Sequence, residues 1–148
     1  MPDLHHALLR DIDAETLYRI MWLRVSVFVV EQAAAYPELD GRDLEPGTLH
    51  FWAAGDTGDV LATLRLLDDG DSARIGRVAT APSSRGSGLA GHLMRQAIAT
   101  STELWPDRAI HLDAQAHLAP WYGRFGFDVS GAQFEEDGIP HLPMTRAS

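Results

Sequence analysis

The chain of 148 residues contains no cysteine and no lysine, because its twelve basic residues are all arginine. The lack of cysteine excludes disulfides, thiolate metal sites and a cysteine nucleophile. The lack of lysine excludes the Walker-type phosphate loop, which requires that residue. Nucleotide binding through a Walker loop and catalysis through an acyl-cysteine are thus both ruled out.

Positive charge is scarce as well, and the formal net charge is −9 at pH 7. Nucleic-acid binding needs a basic surface, so we expect no nucleic-acid partner. The net charge does not exclude the binding of a small anionic ligand, because backbone dipoles can bind phosphate whatever the net charge. Long apolar runs and a charged-then-apolar leader are also absent, so we expect no membrane span, no signal peptide and a cytoplasmic location.

The composition, 45% hydrophobic and 22% charged, is typical of a globular protein. A chain of this length folds as one domain with a core that needs no disulfide or metal. No repeat, low-complexity tract or linker divides it, so residues 1–148 are predicted to form a single domain.

The first helix is predicted to run from Ala14 to about Val30. Asp13 is a plausible N-cap, and Ile12 and Leu17 are placed as a hydrophobic staple around it. The apolar residues that follow keep helical spacing, and Arg24 is the polar exception on that stripe.

The remaining pattern predicts a mixed sheet. Strands are predicted at Leu4–Leu9, Leu49–Ala54, Val60–Leu67, Ala73–Ala79, Ala109–Ala114, Phe127–Ser130 and His141–Arg146. Two further helices are predicted, one from Leu89 to before Pro106 and one at Ala119–Arg124. Turns are predicted at Gly55–Asp59, Asp68–Ser72 and Glu135–Pro140. Hairpins at both ends and one crossover in the middle predict an α/β (α+β) fold, with a mostly antiparallel sheet flanked by helices.

A long loop, Ala33–Thr48, is rich in turn formers and acids. Loops of this length inside a compact domain are often functional. Its acids usually form a solvated charge run, and a second hypothesis makes them an acidic rim that attracts a cationic amine. These acids are Glu38, Asp40, Asp43 and Glu45.

A glycine cluster opens the second helix. Gly86, Gly88 and Gly91 match the pattern G-x-G-x-x-G, so an NAD-binding protein is one interpretation. A meander precedes the cluster, residues 80–85 separate it from the preceding strand, and few residues follow Asp113, the candidate ribose-binding acid. A lone match with these departures is weak.

The same loop fits a second pattern, Arg85-x-x-Gly88-x-Ala90, and four other segments accompany it. They are Arg24–Gln32 (RVSVFVVEQ), Gly76–Thr80 (GRVAT), Leu112–Phe127 (LDAQAHLAPWYGRFGF) and Glu136–Met144 (EDGIPHLPM). In this order and at these spacings, the segments resemble the GNAT superfamily of N-acetyltransferases, and within it the ElaA-like subgroup, over nearly the whole chain. The resemblance implies a GNAT-like fold with a central strand–loop–helix cofactor site.

The physical basis of such a site is independent of the resemblance. Glycines let a ligand approach the backbone, and unpaired N–H groups at a helix start form an anion site with the helix dipole. Arg85 could add a charge-assisted contact. The alternative is a tight turn before a packed helix.

The resemblance implies acetyl-coenzyme A (acetyl-CoA) as the ligand of this loop. Its pyrophosphate is expected on the amides of Gly86–Ala90 and its pantetheine arm along Val78–Thr80. The expected cofactor-binding residues are Val78, Ala79, Thr80, Arg85, Gly86, Ser87, Gly88, Leu89 and Ala90.

Acyl transfer from a thioester to an amine needs a neutral amine, a donor for the carbonyl oxygen and a proton for the leaving thiolate. Tyr122 is the candidate proton donor, because the resemblance implies a general-acid tyrosine at this position of YGRFGF. A phenol stays protonated at neutral pH. The alternative is a packing tyrosine beside Trp121 and Phe125.

Three residues are candidates for the general base. Glu31 follows the apolar run VFVV, and desolvation would raise its pKa if it faced the interior. His117 and His141 titrate in a useful range. Each also has an alternative without a catalytic role: Glu31 as an exposed acid, and His117 and His141 as surface histidines.

The expected function is therefore direct acetyl transfer from acetyl-CoA to a primary amine of a small molecule or peptide. The alternatives are a non-catalytic acyl-CoA or nucleotide-binding module and, less favoured, an NAD-binding protein. The seven histidines lack metal-binding spacing, so no metal is expected. The sequence does not identify the acceptor amine, and it leaves open whether the protein forms a homodimer.

Overall fold

A computed structural model describes residues 2–148. Its strands are β1 (Asp3–Leu8), β2 (Leu49–Ala54), β3 (Val60–Asp68), β4 (Ala73–Thr80), β5 (Ile110–Gln115), β6 (Asp128–Val129), β7 (Phe134–Glu136) and β8 (Ile139–Arg146). Its α-helices are α1 (Ala14–Val25), α2 (Leu89–Leu104) and α3 (Ala119–Gly123), with a π-helical turn at Ser26–Glu31 and short 3-10 segments at Leu9–Asp11, Arg42–Leu44, Pro82–Ser84 and Ala116–Leu118.

Within residues 2–148 the strands form one sheet of eight in the order β1-β2-β3-β4-β5-β8-β6, with β7 also on β8. All neighbouring strands are antiparallel except β4 and β5, which are parallel. The crossover that makes them parallel is α2, as a parallel pair requires. The predicted fold class, a mixed and mostly antiparallel sheet with flanking helices, is confirmed.

Helix α1 begins where its capping residues predict. The side chain of Asp13 accepts a hydrogen bond from the Thr16 amide at 3.1 Å. Ile12 and Leu17 join the same apolar cluster as buried Ile20, so the staple packs the helix start onto the sheet. The predicted extent to Val30 holds, but the last turn is π-helical and not α-helical.

The core lies between α2 and the middle of the sheet. Leu93, Met94 and Ala97 form the inward stripe of α2 and are fully buried. They pack in one cluster with the inward residues of β2 to β5, such as Leu64 and Ile75. Burying each large apolar side chain contributes roughly 1.5–3 kcal/mol, so this stripe fixes α2 on the sheet.

Strands β4 and β5 pair only at their starts and then separate. The paired residues are Ala73 with Ile110 and Arg74 with His111. Beyond them the second half of β4 has no strand on its β5 side, although β5 itself continues, paired on its other edge with β8 over its whole length. The separation opens a wedge in the sheet directly before α2.

Strand β4 also carries a bulge at this wedge. Gly76 pairs with Arg65 and Ala79 with Thr63, so two residues of β4 oppose one residue of β3. Arg77, inside the bulge, has a φ of 52°. A bulge of this kind bends the strand and re-aims its side chains.

The last hairpin differs from its prediction. The turn predicted over Glu135–Pro140 is shorter, because Phe134–Glu136 forms β7 and β8 already begins at Ile139. Asp137 and Gly138 connect them with φ values of 52° and 77°. Two consecutive positive φ values are typical of a two-residue hairpin turn. The strand predicted at Phe127–Ser130 shortens to β6.

None of the helices in residues 2–148 has the length and apolar character needed to cross a bilayer.

Candidate active site

The wedge between β4 and β5 is the floor of a cleft of about 890 Å³. Its walls come from the end of the first helical segment, the start of α2, α3 and the β7–β8 turn. All three elements of the predicted strand–loop–helix site border it. A cleft of this size accommodates a ligand as large as a cofactor.

The loop from Ala81 to Gly88 connects β4 to α2. Pro82–Ser84 forms a single 3-10 turn, after which Gly86 and Gly88 have φ values of 82° and 83°. A Cβ on either glycine would meet no protein atom within 4 Å. The glycines are therefore needed for the left-handed backbone, and the space before them is open to a ligand.

Helix α2 begins without a side-chain cap. Within residues 2–148 the amides of Gly86, Gly88, Leu89 and Ala90 have no hydrogen-bond acceptor. Ser87 differs, because its amide donates to the Ser84 carbonyl at 3.3 Å and its hydroxyl donates to the same oxygen. Four of the five predicted amides are thus free at the positive end of a helix of 16 residues.

Val78, Ala79 and Thr80 line the cleft from the second half of β4. Ala79 is buried, while Val78 and Thr80 are partly exposed. This is the strand edge that β5 leaves without a partner. The edge can therefore form main-chain hydrogen bonds to an extended ligand.

Arg85 forms an ion pair that the sequence did not predict. Its two terminal nitrogens each donate to one oxygen of Glu31 at 2.7 Å, and the two side chains are 44% and 43% exposed. The Arg85 hydrogen bond lowers the pKa of Glu31 below its usual value. The condition for a raised pKa, that Glu31 faces the interior, is not met, because Glu31 lies at the exposed end of the π-helical turn. Its carboxylate is a weakened base.

Tyr122 is buried in α3, with its side chain at the edge of the cleft. Its ring lies edge-on to Trp121 at 4.9 Å and to Phe127 at 6.5 Å between centroids. Burial raises its pKa to about 12. Because of this raised pKa, the phenol is protonated at neutral pH. No group in residues 2–148 hydrogen-bonds its hydroxyl, so the hydroxyl is free to donate.

Both candidate histidines line the cleft. His117 is exposed in the 3-10 segment after β5. His141 lies on β8, stacked on Phe134, with Nδ1 2.8 Å from the Ile139 carbonyl oxygen. That carbonyl can only accept, so Nδ1 carries the proton and Nε2 of the neutral ring is left as an acceptor. The structure thus brings Glu31, His117, His141 and Tyr122 into one cleft.

Beside the cleft lies an ion network that sequence reasoning missed. Arg24, only 1% exposed, donates to Glu38 and to Asp43 at 2.7 Å each. Arg65 binds Asp40 and Asp43, and Arg77 lies 3.1 Å from Glu38. We call these six residues the buried ion network: Arg24, Glu38, Asp40, Asp43, Arg65 and Arg77.

The network corrects two expectations for the long loop. Glu38 and Asp43 are buried, and the Arg24 and Arg65 guanidiniums stabilise the charged form of Asp43, lowering its pKa although burial alone would raise it. For Glu38 and Asp43, neither a solvated charge run nor an acidic rim for an amine holds, because both are buried against arginines, whereas Asp40 and Glu45 are exposed and pair with Arg65 and Arg42. Arg24, the polar exception in an apolar helical stripe, was the one sequence signal.

Arg65 and Arg77 connect the network to the cleft, since both also line it. The loop therefore packs against the sheet through charge-assisted hydrogen bonds, and its residues Ala34 and Tyr36 line the cleft.

A comparison with known families identifies this arrangement. The sequence model of the acetyltransferase (GNAT) domain matches residues 11–148. The chain belongs to the GNAT acetyltransferase family. A UPF0039 protein of Mycobacterium tuberculosis is 47% identical over 141 residues, covering 93% of this chain and 88% of that protein.

Solved structures of GNAT proteins show the same fold. An acyl-CoA N-acyltransferase from Pseudomonas aeruginosa matches with a TM-score of 0.93 and 42% identity, covering 99% of this chain and 100% of that one. Escherichia coli ElaA matches with a TM-score of 0.93 and 35% identity, covering 99% of both. The predicted GNAT and ElaA-like resemblance is confirmed, and GNAT membership supports acyl transfer from an acyl-CoA to an amine as the general chemistry.

Proposed function

We propose that this GNAT protein transfers an acetyl group from acetyl-CoA to a primary amine of a small molecule or peptide. Transfer is direct, within a ternary complex. The observation that carries the proposal is the set of free amides at the start of α2, which adjoins the open edge of β4 and shares one cleft with Tyr122.

The residues present fit the coenzyme. Free amides of Gly86, Gly88, Leu89 and Ala90 would bind the pyrophosphate, as helix starts bind anions generally. The open main chain of Val78–Thr80 would hold the pantetheine arm by strand-like hydrogen bonds. When bound, the coenzyme supplies the acetyl thioester.

The chemistry then needs little from the protein beyond positioning and proton transfer. The amine nitrogen bonds to the carbonyl carbon, the carbon–sulfur bond breaks, and the sulfur leaves as a thiolate. Tyr122, which its raised pKa keeps protonated, would donate its phenolic proton to that sulfur, and the proton that the amine releases would restore the phenol. An acyl-enzyme on cysteine is excluded, because the chain has none.

The acceptor must lose a proton to attack. We propose His141 as its base, because the Ile139 carbonyl holds the proton on Nδ1 and leaves Nε2 to accept. His117 is the alternative, as an exposed histidine on the same cleft. Glu31 is the weakest candidate, since Arg85 lowers its pKa.

Ligand binding and turnover test the proposal together. The unfolding midpoint is measured with acetyl-CoA and with NAD, because a ligand that binds only the folded state raises it. We expect stabilisation by acetyl-CoA alone, and stabilisation by NAD alone would refute the proposal. A panel of polyamines, amino acids and peptides is then screened for coenzyme A release.

The panel also separates the enzyme from its main alternative. A non-catalytic acyl-CoA-binding module would be stabilised by acetyl-CoA yet release no thiol with any amine. A homodimer and a cytoplasmic location remain predictions of the sequence.

A further inference from the structure

The arginines of this chain fall into two groups, those that form an ion pair with a carboxylate and those that do not. Eight of the twelve form ion pairs with Asp or Glu, and all twelve lie in residues 2–148. The paired ones are Arg19, Arg24, Arg42, Arg65, Arg74, Arg77, Arg85 and Arg108. The four without a carboxylate partner are Arg10, Arg95, Arg124 and Arg146.

Three of these four surround Phe125. The Arg95 guanidinium lies 5.3 Å from the centre of the Phe125 ring, and Arg146 Nε donates to the Phe125 carbonyl at 2.9 Å. Arg124 is its neighbour in the chain. We call Arg95, Arg124 and Arg146 the arginine triad.

The triad lines a shallow depression between α2 and the end of β8. Arg95 and Arg124 also line the main cleft, so the depression adjoins it. Glu103 borders the depression as well, but it lies beyond 4 Å of all three guanidiniums. In a protein with 21 acidic residues, three arginines without a carboxylate partner create a local positive surface.

The position along α2 fits a second anion of the same ligand. Arg95 is six residues after Leu89, which carries one of the free amides, so roughly 9 Å of helix separates them at 1.5 Å per residue. Arg95 and the free amides border the same cleft. A nucleotide whose pyrophosphate binds at the helix start would direct its sugar toward the triad if it lay along α2.

We propose that the arginine triad binds the phosphate monoester on the ribose of coenzyme A. A phosphate monoester carries about −1.5 to −2 charges at neutral pH and offers three strong acceptor oxygens, which suits arginine. The protein therefore selects coenzyme A thioesters over thioesters on carriers that lack this phosphate. This inference rests on the proposed function, since it assumes that the coenzyme occupies the cleft.

Calorimetric titration with acetyl-CoA and with its 3′-dephospho analogue tests the proposal. We expect the wild type to bind acetyl-CoA at least tenfold more tightly than the analogue. Arg124→Gln should lose roughly tenfold in affinity for acetyl-CoA, as the loss of a charge-assisted contact predicts, and bind the analogue unchanged. Arg95→Gln should behave similarly.

The matched control is Arg10→Gln. Arg10 also lacks a carboxylate partner but lies in the 3-10 segment after β1, outside both the cleft and the depression. Its replacement should leave both affinities unchanged. The unfolding midpoint of each variant without ligand checks that the fold is intact.

The outcomes separate this inference from the proposed function. Equal wild-type affinity for the two ligands would overturn the triad while leaving acetyl-CoA binding in place. An equal loss for both ligands in Arg124→Gln and Arg95→Gln would also overturn it. Failure of the wild type to bind either ligand would instead refute the proposed function.

Discussion

Replacing Arg24 with methionine tests whether the buried ion network holds the long loop against the sheet. Methionine preserves most of the aliphatic stem and removes only the guanidinium. The variant leaves Glu38 and Asp43 buried without the two 2.7 Å hydrogen bonds that Arg24 donates. Their carboxylates are almost inaccessible to water, with side chains 3% and 7% exposed.

The expected cost follows from what remains beside these carboxylates. Breaking a buried ion pair from one side costs about 3–5 kcal/mol. Arg77 still lies 3.1 Å from Glu38, and Arg65 lies 3.2 Å from Asp43. We therefore expect the lower end, about 3 kcal/mol, which lowers the unfolding midpoint by roughly 6–12 °C for a chain of this size.

Urea unfolding and calorimetry measure this loss, and Arg19→Met is the matched control. Arg19 lies on the same helix and also contacts two carboxylates, at 3.0 and 3.3 Å, but these are 78% and 69% exposed. Its replacement should cost less than about 1 kcal/mol. An equal loss in the two variants would refute the reasoning.

A compensated variant identifies the source of the cost. Combining Arg24→Met with Asp43→Asn alone removes the one excess negative charge, because Arg65 then keeps Asp40 and Arg77 keeps Glu38. If that charge causes the loss, part of the stability returns. A further loss would show that packing around the guanidinium stem, and not charge, dominates.

Three further outcomes are expected. Tyr122→Phe should lower kcat by about 10²–10⁴ while the unfolding midpoint hardly changes, because its hydroxyl has no protein partner; an unchanged kcat removes Tyr122 from the mechanism. The folded-state pKa of Asp43 is lowered, so its stabilising contribution is present above its unfolded pKa of about 3.9 and is lost as the pH falls through the folded value. The stability difference between wild type and Asp43→Asn should accordingly shrink in acid unfolding below about pH 4. Gly88→Ala and Gly70→Ala, with φ of 83° and 91° and free space at the Cβ, should each cost about 1–2 kcal/mol, but only Gly88→Ala should weaken acetyl-CoA binding in calorimetry.

Local signals predicted the first helix well. Its start depends on a cap and a staple that lie within five residues of one another, and both are present in the structure. The switch to a π-helical turn at Ser26 was missed, because the apolar spacing over so few residues does not distinguish the two helix types. Element type thus followed from the sequence, and backbone detail did not.

Contacts between distant segments account for the other errors. Glu38 and Asp43 are predicted from the sequence to be solvated acids. Their arginine partners lie on α1, β3 and β4, far from the loop in sequence, so the loop sequence does not indicate them. Glu31 followed an apolar run that favoured burial, yet the segment ends at the surface beside Arg85. No periodicity within one segment contains that information.

The ion pairs around the cleft have a chemical consequence. A thioester acetylates unprotonated amines, and a guanidinium, with a pKa above 12, remains protonated and poorly nucleophilic. Because every cationic partner in the buried ion network is arginine, the reactive group that the cleft is proposed to hold finds no side-chain amine there to modify. The arginines in the wall of the cleft therefore do not compete with the acceptor amine for the acetyl group.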